Sequence, residues 1–409
     1  MQMKCMINKN TFFAGLGGFQ YGYNSSVIAG ALVFLTGTFA LSLFQEGIVA
    51  SMLLFGAIFT SSFAGVIGNR LGRRPTMMLS AGFFFLGILL SSLATNFWVL
   101  IAGRFIVGLG GGIITTIAPV YLAEISPPEK RGSIVNLNQI GIAVGSLSAY
   151  VSNAFFGNWR WMFAAGLIPA LIQGIGLLFI SETHSSSNNS ALKDASWKSL
   201  FAPGYRPRLY LGIALCAFQQ ITGINTIFFY APFILQSAGY STAAGALFST
   251  VGIGVVYAVS IGLAFILVDR VGRRPLVLWS LAGMAANLLL LSFFFFTGSQ
   301  YLGNTSLLIL LLVVAFYSIG IGPIPQLLIA EISPVHIRGH AMTFTGFIGW
   351  ICNYLVTLTF PELALILSPG GIFLIYALCG VFAWQLIRLK IPETKHKSFE
   401  EIEKGFENL

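Results

Sequence analysis

Two arginine-rich stretches recur in this chain about two hundred residues apart. Gly68-Asn69-Arg70-Leu71-Gly72-Arg73-Arg74-Pro75 returns as Asp269-Arg270-Val271-Gly272-Arg273-Arg274-Pro275. Glu124-Ile125-Ser126-Pro127 before Arg131-Gly132 returns as Glu331-Ile332-Ser333-Pro334 before Arg338-Gly339. Guanidinium groups at helix ends can pair with carboxylates and with the last carbonyls of a helix. Glu124, Glu182, Glu331 and Glu393 fall where such pairs would form. A second chemistry lies in amides within otherwise apolar runs, Gln139, Gln219, Gln220 and Asn225, which a lipid-facing surface would reject. Gln220 and Asn225 would stand about 140° apart on an ideal helix. Gly223 between them allows a local break of the kind found at mid-membrane sites.

The elements that position these residues follow from composition. The chain has 409 residues, of which 56% are hydrophobic and only 9% charged; its mean hydropathy is +0.84. Apolar runs repeat along the whole length, as in a polytopic membrane protein. At roughly 20 residues per span, twelve spans are expected, near 12–35, 45–67, 76–95, 98–121, 133–156, 160–181, 208–236, 243–268, 275–297, 305–329, 340–361 and 370–390. The preserved order of the repeated loops makes each half a copy of the other, which is how secondary transporters are built, with a site between the halves. Residues 1–181 then form an N-terminal six-helix bundle, 182–206 a linker containing the polar run at 184–190, 207–390 a C-terminal six-helix bundle and 391–409 a tail. Some helix is expected around 191–200.

Charge sorts by side. The formal net charge is +9, yet 20 of the 22 Lys and Arg residues fall on one side of the spans or at span ends there. That asymmetry places both termini in the cytosol and argues against a nucleic-acid surface. Arg104, within a span, and Arg160, at an opposite-side helix start, are the exceptions. The polar start at 1–10 is read as a cytosolic segment rather than a cleaved signal peptide. The four cysteines have no metal or disulfide spacing, so no metal and no cofactor are expected. The glycines inside spans, such as Gly103, Gly108, Gly110, Gly111 and Gly112, suit close helix packing.

Taken together, several motifs resemble those of the sugar porters of the major facilitator superfamily, close to the facilitative glucose transporters. They are Gln20-Tyr21-Gly22-Tyr23-Asn24, the loop from Asn69 to Arg74, Gly103-Arg104-Phe105, and Pro119-Val120-Tyr121 through Arg131-Gly132. Asn138-Gln139, Gln219 through Asn225, Gly322-Pro323-Ile324-Pro325, Trp350 with Asn353, and Pro392-Glu393-Thr394 complete the set. The resemblance implies an all-α membrane protein of twelve transmembrane helices in two six-helix bundles (the major facilitator fold), multi-pass in a cell membrane and acting as a monomer. It implies transport of a monosaccharide, glucose foremost, and no enzymatic activity. Amides suit such a cargo, because each sugar hydroxyl is both donor and acceptor and carries no charge. By the same resemblance Gln139, Gln219, Gln220, Asn225, Trp350 and Asn353 contact the sugar, and Phe228, Phe229 and Tyr230 form an aromatic outer gate. Interhelical hydrogen bonding and core packing are the alternative roles for these residues.

Departures from that pattern bear on specificity. Gln326 stands where the glucose transporters usually place a tryptophan, Tyr257 where an asparagine is usual, and Gly349 where another asparagine often sits. Ser181-Glu182-Thr183 replaces the usual Pro-Glu-Ser-Pro-Arg, and the linker is shorter than the usual cytosolic bundle. The last two weaken an account of inner gating.

The resemblance also locates the coupling position. In related proton symporters an acid follows Gly-Tyr in the first span and pairs with the arginine matching Arg104; here that position is Asn24, which cannot titrate in the physiological range. The thirteen Asp and Glu residues are read as lying outside the membrane interior. Uniport by alternating access is therefore expected, with proton symport and a non-transporting sugar sensor as alternatives; only 19 residues follow Lys390, little for a signalling tail. The repeated arginines and glutamates are expected to lock the halves together when the cavity opens outward, topology anchoring being the alternative. Neutralising Arg131 and Arg338 should then raise the inward-open population, read as cysteine accessibility from each side; unchanged accessibility would refute the lock.

Overall fold

In the computed structural model, residues 9–127, 130–183, 197–240, 242–298, 302–334, 337–395, 397 and 401 are described. Most of the linker and of the tail, with His184, His336 and His396, lies outside them. The described residues form helices and connections without strands. The first six spans are α1 (Lys9–Ser26) with α2 (Ile28–Phe39), α3 (Leu43–Leu71), α4 (Arg73–Ser92), α5 (Phe97–Glu124), α6 (Arg131–Phe155), and α7 (Trp159–Ala164) with α8 (Leu167–Leu177). A short 3₁₀ turn at Trp197–Phe201 precedes the second six. These are α9 (Arg206–Ile221) with α10 (Ile224–Ser237), α11 (Ala243–Val271), α12 (Arg273–Thr297), α13 (Leu302–Ile319) with α14 (Ile324–Ile332), and α15 (Arg338–Lys390).

α15 runs for 53 residues. A single straight helix of that size would be about 80 Å long, against about 30 Å of hydrocarbon. Its non-helical residue, Ser368 at φ +62°, precedes Pro369 and divides it into the eleventh and twelfth spans. The outer connection expected between 361 and 370 is thus a kink and not an open loop. Where spans are broken in two, glycine or proline stands at or beside the break in three cases: Gly166, Gly223 and Pro323. The first span breaks at Val27 without either.

Helix starts differ at the two ends of the bundle. At the end opposite the arginine loops, Ser42, Asn96, Asn158 and Thr242 cap α3, α5, α7 and α11 with their own side chains, satisfying amides that the helix leaves free. At the basic end, α4 and α12 start after Gly72 and Gly272, which have no side chain to offer and sit at φ +95° and +105°. Their caps come from elsewhere in the chain, as described below.

Within each half, backbones approach closely through small residues. A Cβ on Gly22 would overlap the Ile142 carbonyl, and one on Gly108 would overlap that of Leu53. Between the halves, α3 packs on the first part of α15, and α6 on α11. Phe55 meets Tyr354 at 5.2 Å, Phe155 meets Phe248 at 6.1 Å, and the Tyr150 hydroxyl donates to the Phe228 carbonyl at 2.8 Å. All three contacts lie at mid-span or toward the end opposite the arginine loops. At the basic end Arg131 is exposed, and open space surrounds Gly132 and Gly339. The seam is closed at one end and parted at the other.

Gly223 is the most constrained of these small residues. It has φ +81°, and a Cβ would run into the Tyr376 ring. Gly223→Ala should lower thermal stability by about 1–3 kcal/mol, given the strain of that backbone region. Gly262→Ala, which meets nothing within 4 Å, should be neutral or mildly stabilising. Equal melting temperatures for the two variants would refute this account of the break.

Candidate functional site between the halves

The break at Gly223 brings together what an unbroken helix would separate. α9 ends at Ile221 and α10 begins at Ile224, and across the gap the Asn225 amide donates to Gln220 Oε1. Gln220 Nε2 donates in turn to Gln219 Oε1 at 3.2 Å, and Gln219 Nε2 donates to the Gly322 carbonyl. That carbonyl belongs to the unwound turn 320–323 between α13 and α14, where an intrahelical partner is missing. Two discontinuities are therefore tied by one chain of neutral hydrogen bonds, each link polarising the next. Gln219 and Gln220 are each committed at both oxygen and nitrogen, and each link of the chain is one that a ligand with hydroxyls could compete for.

Aromatic rings line the same region. The Phe228 ring lies 5.0 Å from Tyr257 and 6.3 Å from Tyr317, and Tyr317 is within hydrogen-bond reach of Gln219. Trp350 on α15 meets Tyr21 on α1 edge-on at 5.9 Å, a contact between halves. Asn353, one turn beyond Trp350, is buried, and its Oδ1 accepts from Thr357 at 3.3 Å. Phe229 and Tyr230 are buried within the C-terminal half; Tyr230 stacks near Phe360 at 4.9 Å and donates to the Thr357 carbonyl at 2.9 Å. Phe228 touches both the rings of the site and, through its carbonyl, the opposite half.

Two proposed contacts sit apart from the hydrogen-bond chain. Gln326 lies on α14, with Nε2 3.5 Å from Cys216 Sγ. Gln139 is exposed on α6, seven and eleven residues before Ser146 and Tyr150 and so on the same face; Tyr150 reaches the other half from that face. Tyr21, Tyr150 and Tyr317 were not singled out from the sequence. The 139–146–150 spacing was the available signal for Tyr150, whereas nothing local marks Tyr317.

The coupling position is embedded in the N-terminal half. Arg104 is 1% exposed, donates through Nη1 to the Asn24 carbonyl at 3.0 Å, and lies 5.6 Å from the Phe163 ring centroid. The Asn24 amide donates to the Gln20 carbonyl at 2.8 Å. No carboxylate among the described residues pairs with Arg104.

The arginine loops build the same device twice. Glu182 accepts from the backbone N–H groups of Arg73 and Arg74 at 2.8 and 3.3 Å, and Glu393 from those of Arg273 and Arg274 at 3.1 and 3.0 Å. Each carboxylate thus caps a helix whose glycine cannot, at the positive end of its dipole. Arg73 pairs with Glu124 at 3.1 Å and Arg273 with Glu331 at 3.2 Å. Thr183 and Thr394 each donate to the second glutamate of their half at 2.6 Å. Arg74 donates to the carbonyls of Leu177 and Leu178, and Arg274 to that of Arg388.

These ion pairs run within each half; in this arrangement none of those described joins the two halves. Arg70, Arg270 and Arg131 are exposed, and Arg338 donates to the Ser333 carbonyl at 3.4 Å. A lock across the seam, expected from the repeated charges, is therefore not what Arg73, Arg74, Arg273 and Arg274 form here. They hold spans of one half to each other. The departure Ser181-Glu182-Thr183 leaves the device intact, because Glu182 and Thr183 make the contacts of Glu393 and Thr394.

Two six-span bundles, with neutral polar side chains gathered at broken helices, define a membrane transporter of the major facilitator type. A profile described as sugar (and other) transporter matches residues 10–190 and 183–406. The chain is 33% identical to a D-xylose transporter of Levilactobacillus brevis over 96% of this chain and 94% of that one. It is 34% identical to the glucose transporter GlcP of Staphylococcus epidermidis over 97% of each. The crystal structure of a D-xylose-proton symporter superposes with a TM-score of 0.83 at 30% identity, covering 95% of this chain and 99% of that one. The chain belongs to the sugar transporter family, and it is a transporter and not an enzyme.

Glu182→Gln and Glu393→Gln should each cost about 1–2 kcal/mol of stability, the value of a helix cap. Being confined to separate halves, the two losses should add in the double variant, as measured by thermal unfolding. Strong non-additivity would show that the two devices communicate.

Proposed function

We propose that the protein carries a monosaccharide, with glucose as its principal cargo, down the sugar's own gradient by alternating access. The observation that carries this reading is the chain Asn225–Gln220–Gln219–Gly322, a set of uncharged donors and acceptors at two helix breaks. A sugar hydroxyl can replace either partner in such a link without placing a charge in the membrane. Gln139, Trp350 and Asn353 are proposed to complete the contacts, and Gln326 and Tyr257 to set which sugar fits. Phe228, Phe229 and Tyr230 are proposed to close over the cargo.

The topology proposed puts the arginine loops and both termini in the cytosol. The parted basic end then corresponds to an inward-facing form, in which exposed Arg131 and half-buried Arg338 would gain partners in the outward-facing form. Uniport is favoured by Arg104, whose hydrogen-bond acceptor is the carbonyl of Asn24 and not an acid. Proton symport is the second reading, favoured by the close structural likeness to a D-xylose-proton symporter. The same likeness and the D-xylose relative keep a pentose as the competing cargo.

In proteoliposomes, glucose uptake should not respond to an imposed proton gradient, and accumulation driven by external acid would establish symport instead. Asn24→Asp, which sets an acid beside Arg104, should introduce proton sensitivity if position 24 is the coupling site. Unlabelled sugars competing with radiolabelled glucose should rank glucose first, with Gln220→Ala lowering apparent affinity about tenfold or more, the value of one lost hydrogen bond to a buried site. Better competition by fructose or a pentose would reassign the cargo and point to Gln326 and Tyr257.

A further inference from the structure

Glu46 lies in the first turn of α3 and is 8% exposed. Its Oε1 is 2.8 Å from the hydroxyl of Thr36 on α2. That same hydroxyl is 3.0 Å from the Leu32 carbonyl, one helical turn back. A threonine hydroxyl has a single hydrogen, and within a helix it commonly goes to the carbonyl four residues earlier. That one hydrogen cannot fully serve both the Leu32 carbonyl and Glu46, whereas a protonated carboxyl donating to Thr36 satisfies both contacts. A carboxylate here would share the Thr36 hydrogen with Leu32 while buried without a cation, an expensive arrangement.

Among the described residues, no neighbouring side chain supplies a cation or a further hydrogen. Tyr230 on α10 is within electrostatic reach, but its one hydrogen goes to the Thr357 carbonyl. Arg160 on α7 donates to the Ser92 carbonyl and lies over the Trp159 ring. Glu362 on α15 is exposed, and the neighbouring first two turns of α5 (97–103) contain no titratable residue. Glu46 also stands on the seam: the next residue, Gly47, backs so closely on the Leu358 carbonyl of the other half that a Cβ would overlap it.

We propose that Glu46 is a proton-binding site of the closed outer seam, taking up a proton as α3, α10 and the first part of α15 close over it and releasing it when the seam opens to water. The sign follows from linkage: the closed form binds the additional proton, so acid favours closure and rising pH weakens it. In the topology proposed above, that proton comes from and returns to the outside. It therefore crosses nothing and drives nothing; it sets the balance between outward- and inward-facing forms. The inference goes beyond uniport and is independent of which sugar is carried.

The test uses the purified full-length protein without sugar. Infrared spectroscopy near neutral pH should show a protonated-carboxyl band that disappears in Glu46→Gln. Phe248→Cys, placed at the seam in a background lacking the native cysteines, should label faster with a thiol reagent as pH rises, by more than the growing thiolate fraction accounts for. Adding Glu46→Gln, whose amide can donate permanently to Thr36, should remove that excess while sugar binding, assayed separately, persists, which shows that the variant folds. A band that survives in Glu46→Gln, no band in the parent, or an equal pH response with and without the substitution would overturn the proposal. Neither readout depends on transport, so the uniport reading stands or falls separately.

Discussion

An interrupted helix inside a membrane frees carbonyls and amides that hydrocarbon cannot satisfy, and the arrangement between the halves answers that constraint. The break at Gly223 and the unwound turn before α14 would each be costly alone. Gln219 joins them by donating to the Gly322 carbonyl, while Ser280 accepts from the Ile321 N–H at 3.0 Å. Once the breaks are satisfied by neutral side chains, the region is polar without being charged. On the proposed reading, binding of a hydroxylated cargo would be an exchange of hydrogen bonds at these two breaks. The aromatic rings of Phe228, Tyr257 and Tyr317 wall that region and limit its wetting.

The charges are arranged on a different principle. Each half carries its own cap, ion pair and threonine contact at the basic end, repeated nearly atom for atom. Such networks stiffen a bundle because their members bond to one another within it. The seam, by contrast, is held at its closed end by rings and carbonyl contacts such as Tyr150 to Phe228. Rigid halves with a softer seam favour rocking of one half against the other over deformation of either.

Much of this was legible in the residues. Apolar run length gave the spans, and the duplicated loops gave the twofold plan. Gly223 announced the break because an amide pair five residues apart makes little sense on a continuous helix. Other features were hidden for physical reasons. That Arg73 would pair with Glu124, and Glu182 cap α4, depends on how α4, α5 and α8 pack at one end, which no local pattern encodes. The charges therefore suggested a link between halves where the geometry gives links within them. Tyr317 and Tyr150 reach the site only through the way distant helices pack. Glu46, read with the other carboxylates as lying outside the membrane interior, is buried where α2 approaches α3.

Confining each cap network to its own half has a consequence for chain continuity. Neither set of contacts borrows a residue from the other, and the helical turn from Trp197 packs on the C-terminal half through His340 and Phe344. The covalent link between residues 183 and 197 is thus dispensable to both networks. Each half, made as a separate polypeptide, would therefore keep its own cap network.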